Sequence, residues 1–289
     1  MGDPRRWRWP ELSEYVTASL APTETAYAKI NLALHVRARR ADGYHELETL
    51  FAFVDDGDRL SVAPAARDDL RTVGEFAAGL DDPFGNIVAK ALLALPRANG
   101  WSVTLDKRLP VASGLGGGSA DAGAVFRMVE AAQGLPVDWA ARAARLGADV
   151  PACVRSITCI GRGTGTELEP VANDLAGMAV LLVNPRLPLA TGPVFKGWDG
   201  VDRGQLPRGN VRAIALTGRN DLEPAAIALC PPIADVLAVL AETRPLVARM
   251  SGSGATCFAL YESHGTMREA AKKIGLAHPS WWRMTGSLR

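Results

Sequence analysis

The sequence has few cysteines, and none of them are paired at the spacing of a metal or redox site. The four cysteines are Cys153, Cys159, Cys230 and Cys257, and no C-x-x-C motif joins any two of them. This pattern argues against both a zinc site and a disulfide framework. The four histidines show no metal-ligand spacing either. We therefore expect reduced thiols in the core, and we assign no metal-binding residue.

The sequence also lacks an excess of charge of one sign. It carries 32 Lys and Arg against 31 Asp and Glu, which leaves a formal net charge of +1. Proteins that follow a phosphate backbone need a dense basic surface, which this composition does not supply. A nucleic-acid-binding function is therefore disfavoured.

Long apolar runs are missing as well. No segment approaches the roughly 18 apolar residues of a membrane span. The first residues, MGDPRRWRWPELSEYV, carry charge and tryptophan where a signal peptide needs an uninterrupted apolar stretch. We expect a cytoplasmic protein that does not bind membranes.

What the sequence does contain is enough apolar material for one large or two ordinary domains, with 48% hydrophobic residues in 289. Residues 1–22 have neither helical nor strand periodicity and are interpreted as an N-terminal extension. Apolar and polar residues then alternate from Ala26 to Arg37, which predicts a half-buried strand. Lys29 and Asn31 share the polar face of that strand.

The rest of the chain shows interleaved strand and helix signals. Asp42-Gly43 predicts a hairpin turn, and Asn86 and Asp138 are predicted helix caps, with Gly134 and Gly147 as helix ends. Further strands are expected at 58–63 and 101–106, and around SITCIG, GMAVLLV, LVARM and TCFALYE; further helices are expected in NDLEPAAIALC and PPIADVLAVLAE. Because hairpins rather than regular crossover helices join the early strands, the pattern predicts an α+β fold. We place a soft boundary between two halves near residue 170.

The strongest chemical signal is PVASGLGGGSADAGA, from Pro110 to Ala124. Glycines let a phosphate approach the backbone, and the first N–H groups of the helix that follows have no partner of their own. Ser119 can offer its hydroxyl to a phosphate or to a bound Mg²⁺. The segment is neither a Walker A loop nor a Rossmann fingerprint, and a glycine-rich tight turn is the competing interpretation.

Three weaker signals are ambiguous on local sequence. The element MSGSGA at 250–255 interrupts an apolar run, and it is either a second phosphate loop or a bulge or bend. Asp149 follows Gly147 at a predicted helix-to-strand junction, where it is either a general base in a cleft or a turn carboxylate. Lys29 either reaches a reacting group or faces water.

Three segments together resemble the successive motifs of the GHMP kinases: AKINLALHV at 28–36, PVASGLGGGSAD at 110–121 and MSGSGATCFAL at 250–260. ADGYHELETLF at 41–51, LGADVP around Asp149 and NDLE at 220–223 narrow the resemblance to the diphosphocytidyl-methylerythritol kinases. The resemblance extends from about residue 24 to near the C-terminus. One departure is Gly123, where the family usually has alanine; we expect it to cost the helix about 1 kcal/mol.

The resemblance implies a two-domain α+β fold, with an N-terminal half like domain 2 of ribosomal protein S5 and a ferredoxin-like C-terminal half. It implies an ATP-binding and catalytic domain at 23–170 and a substrate-binding domain at 171–289. The implied activity moves the γ-phosphate of ATP, with Mg²⁺, to the 2-hydroxyl of diphosphocytidyl-methylerythritol, and the enzyme would be a monomer or homodimer.

The resemblance also implies the site residues. Lys29 and Asp149 are the expected catalytic pair. The expected ATP-binding residues are Pro110, Val111, Ala112, Ser113, Gly114, Leu115, Gly116, Gly117, Gly118, Ser119 and Ala120. The expected substrate-binding residues are Asn31, Tyr44, His45, Phe51 and Phe195, and the third glycine-rich motif comprises Ser251, Gly252, Ser253 and Gly254.

Three alternatives remain at this point. A kinase of the same superfamily acting on homoserine, mevalonate or a sugar would lack the context of Tyr44 and His45. A binding regulator that has lost catalysis would replace Lys29 or Asp149, and both are present. A nucleic-acid-binding protein conflicts with the near-neutral charge.

Overall fold

The structure is a computed structural model that describes residues 22–78, 80 and 85–289. The predicted N-terminal extension lies, apart from Pro22, outside the described residues. The strands are β1 (Thr23–Arg39), β2 (His45–Ala65), β3 (Asp69–Val73), β4 (Gly100–Asp106), β5 (Cys159–Gly163), β6 (Glu167–Pro170), β7 (Ala179–Asn184), β8 (Val247–Met250), β9 (Cys257–Tyr261) and β10 (Trp282–Ser287). The helices are α1 (Ile87–Ala94), α2 (Gly117–Gln133), α3 (Trp139–Leu146), α4 (Val150–Arg155), α5 (Thr191–Lys196), α6 (Val211–Thr217), α7 (Glu223–Leu229), α8 (Pro232–Glu242) and α9 (His264–Ala277).

Contacts divide the described residues into two compact units that interleave along the chain. The first unit contains residues 22–26, Asp58–Arg108 and Gly118–Arg155, and the second contains Tyr27–Gly57, Leu109–Gly117 and Ser156–Arg289. The expected functional domains at 23–170 and 171–289 are a separate matter and stay a prediction.

The first unit is built on the C-terminal part of β2. This part pairs antiparallel with β4, from Arg59 opposite Asp106 to Ala65 opposite Gly100, and β3 runs parallel to β4. Helices α1 to α4 belong to the same unit, and α2 buries most of its length. Asn86 caps α1 as predicted, because its Oδ1 accepts a 2.9 Å hydrogen bond from the N–H of Val88.

The second unit contains an antiparallel sheet in the order β10-β7-β9-β8. When its strands are numbered 1 to 4 along the chain, their order across the sheet is 4-1-3-2, and α9 connects β9 to β10. This is the ferredoxin-like arrangement. Its core is formed by the sheet and the helices that cover it, including Leu181, Ile233 and Ala259. The α+β prediction and the ferredoxin-like half are therefore confirmed.

Four local predictions are wrong. Strand β1 is not half-buried, because every residue from Ala28 to Val36 is buried. The strand predicted at 58–63 is not separate but continues β2. Asp138 precedes α3 without a side-chain capping bond, since its carboxylate accepts from the Nε of Arg142 at 2.8 Å instead. Asp149 lies between two helices, α3 and α4, rather than before a strand.

The sequence interpretation also missed several elements. These are the strands β3, β6 and β10 and the helices α4, α5, α6 and α9. Among the residues that the structure describes, no helix is both long and apolar enough to cross a membrane.

Candidate active site

Lys29 is buried in the second unit, with 4% of its surface exposed. Its Nζ donates a 2.9 Å hydrogen bond to Oδ1 of Asn31, two residues further along β1. The same ammonium lies 5.3 Å from the centroid of the Phe51 ring. The alternative that Lys29 simply faces water is therefore wrong, and the shared face of Lys29 and Asn31 is confirmed.

The amide of Asn31 is held in one orientation. Its Nδ2 donates to Oγ1 of Thr49 at 2.7 Å, and that hydroxyl donates to the carbonyl of Ala33 at 2.7 Å. Because the Thr49 hydroxyl donates its one proton to the Ala33 carbonyl, it can only accept a hydrogen bond from Asn31. The Oδ1 of Asn31 must therefore face Lys29.

Ser251 connects this strand to both glycine-rich loops. Its Oγ donates to the carbonyl of Gly114 at 2.9 Å and accepts from the N–H of Asn31 at 3.2 Å. Backbone bonds run alongside, from Lys29 N–H to the Leu115 carbonyl at 3.0 Å and from Thr256 N–H to the Ser113 carbonyl at 3.0 Å. The two loops, predicted separately from sequence, therefore meet beside Lys29 and Asn31 in the second unit.

The loop from Met250 to Thr256 is the turn of a hairpin, since β8 and β9 pair antiparallel on either side of it. The bulge or bend considered from sequence is therefore replaced by a reversal of the chain.

Glycine is required at position 114 for two reasons. Its φ of +79° lies in the left-handed region, and a Cβ on it would stand 2.2 Å from the carbonyl oxygen of Ser251. Ala112 and Gly116 also have positive φ, at 51° and 61°. Alternation of left- and right-handed residues turns successive N–H groups toward one point, which is a common anion-binding arrangement.

Helix α2 begins at Gly117, directly after this loop, and has no acidic residue in its first turn. Its first N–H groups and its dipole favour an anion at this end. Ser119 lies in that turn, and its Oγ is 3.8 Å from the position a Cβ on Gly147 would take. The segment that precedes Asp149 is thus close to Ser119 within the first unit.

Asp149 lies at the start of α4, where its carbonyl accepts from Cys153 N–H at 3.0 Å. The N–H of Val150 bonds back to the carbonyl of Gly147 at 3.1 Å, which closes the turn between α3 and α4. Asp149 belongs to the first unit and Lys29 to the second. Their pairing stays a prediction.

An aromatic cluster surrounds His45 at the beginning of β2. The His45 ring lies 5.2 Å from that of Phe195 and 5.8 Å from that of Trp198, edge to face at 81°. Burial, and secondarily the nearby Arg39, lower the pKa of His45 below its usual value, so the ring is neutral at pH 7. Tyr44, which precedes it, is 63% exposed and available for stacking.

The sequence interpretation missed Trp198. The indole is 3% exposed, and the guanidinium of Arg39 lies over it at 5.8 Å. Its position three residues after Phe195 is the available signal, but the partner that it contacts, His45, is far away in sequence.

Among the described residues, no group of three or more His, Cys, Asp or Glu side chains is arranged to hold a metal ion. The four cysteines are buried, as expected.

Comparison with protein families gives two matches. Residues 86–156 match the GHMP kinases N terminal domain, and residues 207–279 match the GHMP kinases C terminal model.

Several individual proteins are similar over nearly the whole chain. The 4-diphosphocytidyl-2-C-methyl-D-erythritol kinase of Novosphingobium aromaticivorans is 68% identical over 266 residues, which cover 92% of each chain. That of Erythrobacter litoralis is 64% identical over 271 residues, covering 92% of this chain and 99% of the relative.

Solved structures agree. The crystal structure of a 4-(cytidine 5'-diphospho)-2C-methyl-D-erythritol kinase superposes with a TM-score of 0.78 at 32% identity, covering 92% of this chain and 99% of that one. Mevalonate kinase from Methanococcus jannaschii matches with a TM-score of 0.64 at 11% identity, over 94% of this chain and 100% of that one, which shows a shared fold alone.

Proposed function

The chain belongs to the 4-diphosphocytidyl-2-C-methyl-D-erythritol kinases of the GHMP kinase family, and we propose from this membership that it phosphorylates the 2-hydroxyl of that diphosphocytidyl alcohol. The donor is ATP and the products are the 2-phosphate and ADP, in the methylerythritol phosphate route to isoprenoid precursors. The chain is thus a small-molecule kinase.

The observation that supports this best is the hydrogen-bonded network around Asn31. The network gathers a buried ammonium, Lys29, and the two glycine-rich loops through Ser251. Phosphoryl transfer depends chiefly on positioning and on stabilising charge, and less on covalent chemistry by the protein. A fixed ammonium beside an amide-lined loop meets that requirement.

In the proposed reaction, Asp149 accepts the proton of the substrate's 2-hydroxyl. The oxygen forms a bond to the γ-phosphorus of ATP, and the bond from that phosphorus to the β,γ-bridging oxygen breaks, so that ADP leaves. Lys29 stabilises the negative charge that develops on the attacking oxygen. Asn31 supports this role by holding Lys29 Nζ at 2.9 Å.

The triphosphate is assigned to residues 110–120, from Pro110 through the first turn of α2. Support comes from the left-handed residues Ala112, Gly114 and Gly116 and from the unpaired N–H groups at the start of the helix. A Mg²⁺ ion bound with ATP would supply positive charge against the phosphates. Such an ion would be held mainly by the phosphates and by water, and the Ser119 hydroxyl would be its contact with the protein.

The cytidine end is assigned to the aromatic cluster at the start of β2. Tyr44 and Phe195 offer faces for stacking, while neutral His45 has one N–H donor and one acceptor nitrogen. The cytosine edge likewise carries both an amino donor and ring acceptors. Phe51, near Lys29, is assigned to the methylerythritol group.

The test is transfer of phosphate from ATP to 4-diphosphocytidyl-2-C-methyl-D-erythritol by the wild type and by Asp149→Asn. We expect the variant to lose at least about 100-fold in kcat, as for removal of a general base. Asp138→Asn is the matched control, because that carboxylate is exposed and bonds Arg142. Near-normal turnover by Asp149→Asn would reject Asp149 as the base.

The rival kinases are tested in the same assay. Homoserine, mevalonate and galactose replace the diphosphocytidyl alcohol at equal concentration. Turnover with one of them, and none with the diphosphocytidyl alcohol, contradicts the proposed substrate while leaving the kinase assignment intact.

A further inference from the structure

The NDLE motif distinguishes this branch of the family in sequence but has no role in the site described so far. Its first three residues directly precede α7, and its last residue, Glu223, begins that helix. The first residue, Asn220, is 6% exposed. The backbone around Asn220 is fixed to β1: Leu34 N–H donates to the Arg219 carbonyl at 2.8 Å, and Asp221 N–H donates to the Leu34 carbonyl at 2.9 Å. The motif is thus anchored on the strand that carries Lys29 and Asn31.

The side-chain amide of Asn220 is fully used. Its Nδ2 donates to the carbonyls of Met250 and Gly252, at 2.8 Å each, and its Oδ1 accepts from Leu222 N–H at 3.0 Å. A flipped amide would set its NH₂ group against an N–H and its oxygen against two carbonyls. Only one orientation is therefore compatible with its surroundings.

The two carbonyls belong to the turn that carries Ser251. On its other side, this turn meets Gly114 and Asn31 through the Ser251 hydroxyl. A Cβ on Gly252 would lie 3.1 Å from the Gly114 carbonyl oxygen and 3.2 Å from Asn31 Oδ1. The Ser251–Gly252 turn is therefore held closely between Asn220 and the two groups that the proposed function uses.

We propose that Asn220 is a positioning residue, which sets the Ser251–Gly252 turn against the phosphate loop and Asn31. It acts through the turn and not on a reacting atom. The inference rests on the proposed function, because it assigns Asn220 to the same site. Displacements of about 1 Å at supporting residues are enough to cost about 100-fold in rate.

The first experiment compares Asn220→Asp with Asp221→Asn. Asn220→Asp keeps the acceptor but sets a carboxylate oxygen against the carbonyls of Met250 and Gly252, so the turn is pushed away. Asp221 is the matched control: it is 5% exposed and belongs to the same motif, but its carboxylate bonds Val36 N–H and Arg219. Both variants are assayed at a temperature where circular dichroism shows them folded.

We expect Asn220→Asp to lose at least about tenfold in kcat, while its KM for the diphosphocytidyl alcohol stays within about twofold. The reason is that Asn220 touches no residue of the His45 cluster in its hydrogen bonds. Asp221→Asn should keep kcat within about threefold of wild type. Equal losses in the two variants overturn the inference, because they indicate a merely structural role.

A double-mutant cycle with Ser251→Ala tests whether the effect passes through the turn. If it does, the double variant loses no more kcat than the more impaired single variant. If the two losses multiply, Asn220 does not act through Ser251 and the inference fails. Should Asn220→Asp not fold, Asn220→Ser removes the same two bonds without burying a charge, and the same comparisons apply.

The kinase activity of the wild type distinguishes a failure of the proposed function from a failure of this inference. A wild type without kinase activity contradicts the proposed function. An active wild type, with Asn220→Asp as active as Asp221→Asn, contradicts only the inference about Asn220.

Discussion

The imidazole of His45 packs edge to face with the indole of Trp198, at a centroid distance of 5.8 Å. Such pairs contribute about 0.5–1.5 kcal/mol beyond the area they bury. Since His45 is assigned to the cytidine end of the substrate, Trp198 should influence how tightly that end binds.

We predict that Trp198→Leu raises the KM for the diphosphocytidyl alcohol about two- to tenfold, which corresponds to the loss of that contact. The kcat and the KM for ATP should not change, because the ring contacts of the indole are with His45 and Arg39, which lie outside both glycine loops. Steady-state kinetics at varied concentrations of each substrate check this. Trp139→Leu, in α3 of the first unit, is the control and should leave both KM values unchanged; an unchanged KM in Trp198→Leu would contradict the assignment.

His35 predicts a loss of stability in mild acid. Its buried ring bonds the Gly204 carbonyl through Nδ1 at 3.0 Å and accepts from Arg219 N–H through Nε2 at 3.3 Å, so it is the neutral tautomer with its proton on Nδ1. Burial, with help from the Arg219 guanidinium, lowers the pKa of His35 below 6.5, although the hydrogen bond to the Gly204 carbonyl and, less strongly, Asp221 oppose this shift. Near and below pH 6.5 the unfolded chain therefore binds more protons than the folded one, and the free energy of unfolding decreases as the pH is lowered.

Urea unfolding at pH 7.5 and at pH 5.5 measures this effect. His35→Gln should be less stable than wild type at pH 7.5. Its free energy of unfolding should decrease less on acidification, because it has no ring to protonate. His264→Gln is the control, since that ring lies at the surface on Ser287, and it should follow wild type. An acid loss in His35→Gln as large as in wild type would show that other groups cause it.

The buried cluster of Lys107, Asp58 and Asp121 predicts that stability decreases as the pH rises, which is opposite to the effect of His35. Lys107 Nζ donates to Asp58 and, at 2.7 Å, to Asp121. Burial raises the pKa of Asp121 to about 8; Lys107 opposes the shift and Asp58 adds to it. Between pH 3.8 and about 8 the folded state holds the extra proton, so stability falls as pH rises through this range.

We predict that Asp121→Asn removes this decline, because an amide imitates the protonated acid. The free energy of unfolding, measured at pH 6.5 and pH 8, should fall for wild type and stay more nearly level for Asp121→Asn. Asp138→Asn, a change at an exposed carboxylate, serves as the control, and its free energy of unfolding should decrease as that of wild type does. A decline in Asp121→Asn equal to that of wild type would place the proton elsewhere.

Local signals were sufficient where the structure is made of local interactions. The strand at β1 and the cap at Asn86 depend on residues that are neighbours in the chain, and both are confirmed, although the half-burial that the alternation in β1 predicted is wrong. The glycine loops were found because phosphate binding needs a recognisable local sequence.

Packing between distant segments was beyond the reach of these signals. Lys29 was ambiguous from sequence because the residues that surround it, such as Phe51 and Leu115, belong to other segments of the chain. The contact between Trp198 and His45 and the bonds from Asn220 to the turn before β9 likewise join residues far apart in sequence. The motif of Asn220 was visible, but what its amide holds was not.

Gly123 shows the same limit in energetic terms. From sequence, this glycine within α2 appeared to be a defect, which alanine would improve by about 1 kcal/mol of helix propensity. In the structure, a Cβ on Gly123 would lie 2.6 Å from the carbonyl carbon and oxygen of Cys153 in α4. Both are backbone atoms, so relief requires one helix to move from the other.

We therefore predict that Gly123→Ala lowers the free energy of unfolding, because overpacking of about 1–3 kcal/mol exceeds the gain in propensity. Gly118→Ala, in the same helix, is the matched control: a Cβ there meets only Ile87 Cγ2, at an ordinary 3.5 Å. Denaturant unfolding should show Gly123→Ala less stable than wild type and Gly118→Ala as stable or slightly more so. If Gly123→Ala is the more stable of the two, α2 and α4 can separate without cost, and helix propensity alone decides which residue suits this position.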